Sequence, residues 1–255
     1  MTNTARVENS RANALQLSTL EVNNLSFSYN KALIFSELSF SLAAGKIAVL
    51  MGKNGSGKTT LMRCLAGWLP YKSGEVLLLG EPFDGSSQAL RAKVFFVNDS
   101  PAFYDDLTAE EHVRFVLAVN KREEHMPLAY ENLQKFGLFE SRGMLPSSYS
   151  RGMRLKLGLV LALTLKPELL LLDEPFGPLD PEARSLLSAE LLALAKEGSA
   201  VLLSLHQQVD ELAIDDCYKL EGGRLFANES LAGILSQAQE SASKPEQESI
   251  ATPRH

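Results

Sequence analysis

The chain has 255 residues, 45% of them hydrophobic and 22% charged, with 25 basic against 31 acidic side chains and a formal net charge of −6. This is globular composition, sufficient for one large domain or two small ones around a sizeable core, and it excludes collagen-like and low-complexity chains. The negative balance argues against non-specific binding of nucleic acid or anionic lipid, and two distant cysteines, Cys64 and Cys217, make neither a zinc cluster nor a disulfide scaffold.

Both cysteines read as reduced cytoplasmic thiols. The longest apolar run, Leu157 to Leu165, is closed by Lys156 and Lys166 and falls short of the ~20 residues a bilayer helix needs. Residues 1–18 contain Arg6 and Arg11 but no apolar stretch, which predicts a disordered leader rather than a secretory signal. No fixed-period repeat is present.

From Thr19 onward, short β-type runs alternate with helical ones. Leu20, Val22, Leu25 and Phe27 precede a Ser28-Tyr29-Asn30 turn, and a second run covers Leu33 to Leu42. Ile47 to Met51 is a buried-type strand that leads into a glycine-rich turn. Behind the turn, Leu61, Leu65 and Trp68 predict a helix stopped near Pro70. Glu75 to Leu79 and Val94 to Val97 read as further strands.

The pattern then changes. Thr108 and Glu111 form a capping box at the head of a helix over about 108–120, a second helix covers about 127–137, and no strand signal returns until Leu169. Leu169 to Leu172 predicts a strand, Pro181 to Lys196 a helix with Asp180 as its N-cap, and Ala200 to Ser204 a strand. A short helix is expected after His206, a hairpin turn at Glu221-Gly222-Gly223-Arg224, and a disordered tail over 236–255. Alternating strands and helices predict an α/β fold with a mainly parallel sheet covered on both faces. Its chemistry belongs at the carboxyl ends of the strands.

Gly52-Lys53-Asn54-Gly55-Ser56-Gly57-Lys58-Thr59, followed by Thr60, satisfies G-x-x-x-x-G-K-[ST] between an apolar strand and an amphipathic helix. Glycines at this spacing let successive backbone N–H groups wrap around phosphate oxygens and run into a helix N-terminus. Lys58 adds a mobile charge for the β and γ phosphates, and the Thr59 hydroxyl suits a Mg²⁺ shell. Leu169-Leu170-Leu171-Leu172-Asp173-Glu174 is an apolar strand ending in two acids. Asp173 is the candidate metal ligand, and Glu174 the candidate base that polarises water for in-line attack on the γ-phosphate. Taken alone, that acidic pair also fits two exposed residues capping a core strand.

With these motifs in this order, residues 19 to 235 resemble the ATP-binding cassette (ABC) family. The resemblance implies a P-loop NTPase core, an N-terminal antiparallel β subdomain and a helical subdomain inserted at about 99–165. It implies that Tyr29 stacks on adenine, although an ordinary strand-end tyrosine is the plain reading. Tyr149-Ser150-Arg151-Gly152-Met153 stands where the family has LSGGQ, so Ser150 and Gly152 would face the γ-phosphate held by a second subunit. As a residue, Ser150 is also simply a good N-cap. Gly177-Pro178-Leu179-Asp180 matches the D-loop, and His206 matches the histidine that contacts γ-phosphate.

The sequence departs from the family in two places. Asp99 stands where the family has a glutamine and is the expected third contact to Mg²⁺ or its waters. Arg151 and Met153 replace Gly and Gln in the signature. Both features resemble the cassettes of two-component bacterial exporters whose permease is a separate polypeptide. The resemblance therefore implies an ATPase using ATP and Mg²⁺ that pairs head-to-tail as a homodimer. It would dock on integral membrane permease subunits at the cytoplasmic face of the inner membrane and bind no nucleic acid. Phe103 and Tyr104 are candidates for the permease contact or for buried packing. The rival readings are a soluble cassette ATPase acting as a scaffold, against which the signature argues, and a P-loop GTPase or kinase. Asn120-Lys121-Arg122-Glu123 superficially fits the latter but lacks the required final Asp.

Overall fold

The computed structural model describes residues 18–205 and 212–227. The leader, His206 with the helix expected after it, and the tail lie outside those residues, apart from Ser18. Two strands open the fold, β1 (Ser18–Tyr29) and β2 (Ala32–Ala43), antiparallel with Tyr29 opposite Ala32. Asn30 makes the turn at φ 52, a left-handed conformation that asparagine tolerates. The other edge of β1 pairs with β4 (Ser73–Leu78), which β5 (Glu81–Pro82) extends, so the first sheet runs β2-β1-β4-β5.

The second sheet is built around β3 (Ile47–Met51), which lies parallel to β8 (Ala200–Leu205) on one side and β9 (Asp216–Glu221) on the other. Beyond β8 come β7 (Leu169–Asp173) and β6 (Val94–Val97), both parallel. Only β10 (Arg224–Ala227) runs antiparallel, folded back on β9 through Gly222 and Gly223, both at positive φ. The order is β10-β9-β3-β8-β7-β6.

Strand side chains alternate between faces, and here both faces are covered, so the central strands show no polar alternation. Ala48, Leu50, Leu169, Leu171, Ala200 and Leu202 pack toward the antiparallel sheet and α1 (Lys58–Leu65). Their neighbours Ile47, Val49, Met51, Leu170, Leu172, Val201, Leu203 and Leu205 belong to a second cluster with the helices of the other face. The sheet therefore separates two dry cores.

After α2 (Gln88–Arg91) and β6, the chain enters a helical stretch: α3 (Ala109–Val119), α4 (Met126–Lys135) and α5 (Arg151–Leu165). The capping box of α3 forms as the sequence predicts: Glu111 N–H donates to Thr108 Oγ1 at 3.2 Å and Thr108 N–H donates to Glu111 Oε2 at 2.8 Å. Apolar almost all round, α5 is buried between α3, α4 and the end of β6. Pro181 opens α6 (Pro181–Lys196), with Asp180 capping the Ala183 N–H at 2.8 Å. Among the described residues no helix is long and apolar enough to cross a membrane.

One element differs from its sequence pattern. α1 ends at Leu65 and leaves Trp68 outside it. Gly67 takes φ 69 and lies so close to Gly85 that a Cβ there would sit 2.5 Å from Gly85 Cα. The chain must leave the helix at that approach, well before Pro70. Trp68 is exposed, its ring set edge-on to Phe96.

Candidate active site

The parallel register of β3, β8 and β7 brings three strand ends to one edge, with Met51 opposite Leu205 and Asp173 opposite Ser204. From β3 the chain enters the glycine loop. Gly57, the N-cap of α1, has φ 104, and a Cβ on it would lie 2.8 Å from Ile34 Cγ2. Only glycine fits there. The loop opens on a cavity of about 310 Å³ lined by its own residues 54–60, except Ser56, together with Ile34 and Glu174.

Lys58 is nearly buried, and its Nζ donates to the carbonyls of Gly52 at 2.8 Å and Lys53 at 3.2 Å. Burial holds its pKa below the ordinary 10.5, against an opposing pull from the charges of Glu174 and Asp173. Ser56 Oγ is buried in the loop with no hydrogen-bond partner. That hydroxyl is packed against Gly52, where a Cβ would lie 2.6 Å from it, so the loop backbone, not this side chain, faces the cavity.

Asp173, also buried, takes a hydrogen bond on each carboxylate oxygen. Thr59 Oγ1 donates to Oδ2 and Ser204 Oγ to Oδ1, each at 2.6 Å. A hydroxyl and a carboxylate held this close are hard oxygen donors of the type Mg²⁺ takes with phosphate and water. Glu174 follows at φ 52, a left-handed backbone rare for a residue with a side chain, and its N–H donates to Ser204 Oγ at 2.9 Å. This bend carries Glu174 off the strand line and into the wall of the cavity.

The structure thus brings together Lys58, Thr59, Thr60, Asp173 and Glu174, and the cavity walls include Asn54, Gly55 and Gly57. Ser150, Gly152, Tyr29 and Asp99 do not line it. Ser150 is the N-cap of α5, accepting from Met153 N–H at 3.2 Å. Gly152 packs on the Gly177-Pro178 turn, where a Cβ would lie 3.0 Å from Pro178 O, and Lys156 pairs with Asp180 at 3.1 Å. The signature segment and the turn before α6 are therefore one packed unit. Tyr29 is exposed at the β1–β2 turn, edge-on to Phe27. Asp99 pairs with Arg151 at 3.3 Å. Asn120 caps α3 by donating to Val116 O, a helix-end role.

A second concavity, about 430 Å³, lies beside the loop after β6 and is lined by Trp68, Phe96, Phe103, Tyr104 and Phe115 among others. Buried His112 holds that loop. Its Nε2 accepts from Tyr104 N–H at 2.8 Å, and its Nδ1 lies 2.9 Å from Thr108 O, so Nδ1 carries the proton. Phe103 is partly buried against the core, whereas Tyr104 is 62% exposed. Two residues at the catalytic edge escape sequence reasoning: Ile34 and Ser204. The signal for Ser204 was a lone hydroxyl in the apolar run Val201-Leu202-Leu203-Ser204-Leu205. Its meaning depended on the β7–β8 register.

Residues 35–177 match the ABC transporter family. The cytochrome c biogenesis ATP-binding export protein CcmA of Vibrio cholerae is 32% identical over 190 residues, covering 74% of this chain and 92% of that protein. The Nod factor export ATP-binding protein I of Sinorhizobium fredii is 32% identical over 228 residues, covering 86% of this chain and 65% of that one. A solved structure of the ATP-binding subunit of an ABC transporter superposes with a TM-score of 0.81 at 27% identity, covering 89% of this chain and 100% of that one. Strand order, phosphate cradle and family match agree: the chain belongs to the ABC transporter family, as one of its ATP-binding subunits.

Proposed function

We propose that this chain is the ATP-hydrolysing subunit of an exporter. Two copies close head-to-tail on ATP to drive a separate membrane permease from the cytoplasmic face of the inner membrane. The observation that carries this reading is the cavity in which Lys58, Thr59 and Glu174 meet, backed by buried Asp173. Lys58 Nζ turns from its two loop carbonyls to the β and γ phosphates, and the N–H groups of residues 53–60 hold the remaining oxygens. Thr59 and Asp173 would hold Mg²⁺, which would supply positive charge against the charge that develops on the phosphates in transfer. Glu174 accepts the proton of the attacking water, and His206 contacts the γ-phosphate. Tyr29 stacks on adenine. Asp99, paired with Arg151 here, would lend its carboxylate to the waters of the Mg²⁺ ion.

Ser150 and Gly152 act on the nucleotide of the other copy. Their helix points an N-terminus at the γ-phosphate across the interface. Closure follows from differential affinity, since only the paired state has both walls of the site. The aromatic concavity around Trp68 and Tyr104 receives the permease. Export is supported by the Tyr149-to-Met153 signature and by the export names of the two relatives above.

Glu174→Gln is the direct test. It should retain ATP binding, stop turnover and accumulate an ATP-held dimer on gel filtration; steady-state hydrolysis equal to the parent's would remove Glu174 as the base. Identification of the integral membrane protein that co-purifies in detergent, and transport by it in oriented vesicles, tests permease and direction.

A further inference from the structure

Ser204 is fully buried at the strand-end edge of the site, with no solvent exposure, and it stands in a strand that is otherwise apolar. A serine hydroxyl has one proton to give and lone pairs to accept with. Both capacities are used on consecutive residues of the neighbouring strand end. The proton goes to Asp173 Oδ1 at 2.6 Å, and the oxygen accepts Glu174 N–H at 2.9 Å. The parallel β7–β8 register puts Ser204 beside Asp173, so these bonds cross from one strand to the next.

We infer that Ser204 is a positioning residue for hydrolysis, which sets the orientation of the Asp173 carboxylate and the left-handed backbone of Glu174 with a single hydroxyl. This inference rests on the proposed roles of Asp173 and Glu174. With Oδ1 held by Ser204, the carboxylate presents Oδ2 toward Thr59, the other side chain proposed to hold Mg²⁺. With its N–H held, Glu174 keeps φ 52 and its place in the cavity wall. Backbone in that region is unfavourable for a residue with a side chain and persists only where the surroundings enforce it. The Ser204 hydroxyl is part of that enforcement. Without it, a buried carboxylate oxygen and a backbone N–H lose a partner together. Supporting groups of this kind typically change metal affinity or activity by 10–100-fold.

The test compares Ser204→Ala, Ser204→Thr and Ser204→Val in the full chain, each checked for a cooperative thermal transition well above the assay temperature. Threonine and valine have the same shape and differ by the hydroxyl, so that pair separates hydrogen bonding from packing even where both crowd the core. Alanine should lower kcat about 10- to 100-fold, and the KM for the metal–ATP complex should rise by no more than the factor by which metal affinity falls. Valine should resemble alanine, and threonine should recover most of the parent kcat. A second readout is independent of turnover. Mn²⁺ affinity of the ATP-loaded protein, followed by electron paramagnetic resonance, should weaken for alanine and valine but not for threonine. ATP affinity without divalent ion should stay at the parent value, which also confirms a folded cradle where melting is hard to follow.

Parent-like kcat and Mn²⁺ affinity in Ser204→Ala, or equal losses in the threonine and valine variants, would overturn the assignment. Glu174→Gln run alongside separates this from the broader reading. If it turns over ATP normally, the proposed catalytic role fails; if it is inactive while Ser204→Ala is normal, only Ser204 fails.

Discussion

At the scale of single residues, the cradle depends on two side-chain decisions. Gly57 has none, because its φ of 104 and the Ile34 methyl leave no place for a Cβ. Gly57→Ala should weaken ATP binding about 10-fold or more, the equivalent of roughly 1–3 kcal/mol of backbone strain, measured by titration with a fluorescent ATP analogue. Lys58 has a long one, folded back on the loop carbonyls. Its pKa is lowered by burial, so its positive charge is lost at a pH below the ordinary 10.5. ATP affinity should accordingly fall as pH climbs toward that value, before an exposed lysine would titrate, and a Kd-versus-pH series checks this. The stability of the nucleotide-free chain runs the opposite way. A folded pKa below the unfolded one means the unfolded chain binds more protons between the two values, so Lys58's contribution to stability rises with pH there.

At the scale of elements, the chain separates into parts set locally and parts set by neighbours. The starts of α3 and α6 were legible because a cap is short-range chemistry: Thr108 with Glu111, and Asp180 with Pro181. The end of α1 was not legible. Trp68 keeps the apolar spacing, and the chain turns away from it because Gly67 meets Gly85, an approach encoded nearly twenty residues downstream. The central strands were legible as runs such as Leu169 to Leu172, yet which side chain enters which core is decided by the two layers on either face. Leu171, wholly buried toward the antiparallel sheet, tests this packing. Leu171→Ala should cost about 2–5 kcal/mol in chemical denaturation without altering the residues that touch nucleotide.

At the scale of the whole molecule, the proposed cycle needs two copies. The signature segment and the turn before α6 form one packed unit, joined by Gly152 on Pro178 and by Lys156 on Asp180, and this unit does not line the cavity of its own chain. Ser150→Arg should therefore block ATP-driven pairing while leaving nucleotide binding by the single chain near its parent value. Analytical ultracentrifugation with and without ATP, in a Glu174→Gln background, reads both, and pairing that survives the substitution would remove Ser150 from the interface.

The phosphate cradle, the acidic end of β7, the capped helices and the α/β alternation are written into short stretches of sequence, because each depends on residues close together in the chain. Ser150 and Asp180 were legible as N-caps for the same reason. Folding is what joins Ser204 to Asp173 and Glu174, sets Asp99 against Arg151, and closes the glycine loop with Ile34. Those contacts link residues far apart in the chain through strand register and layer packing, and neither is encoded in the pattern of any one segment.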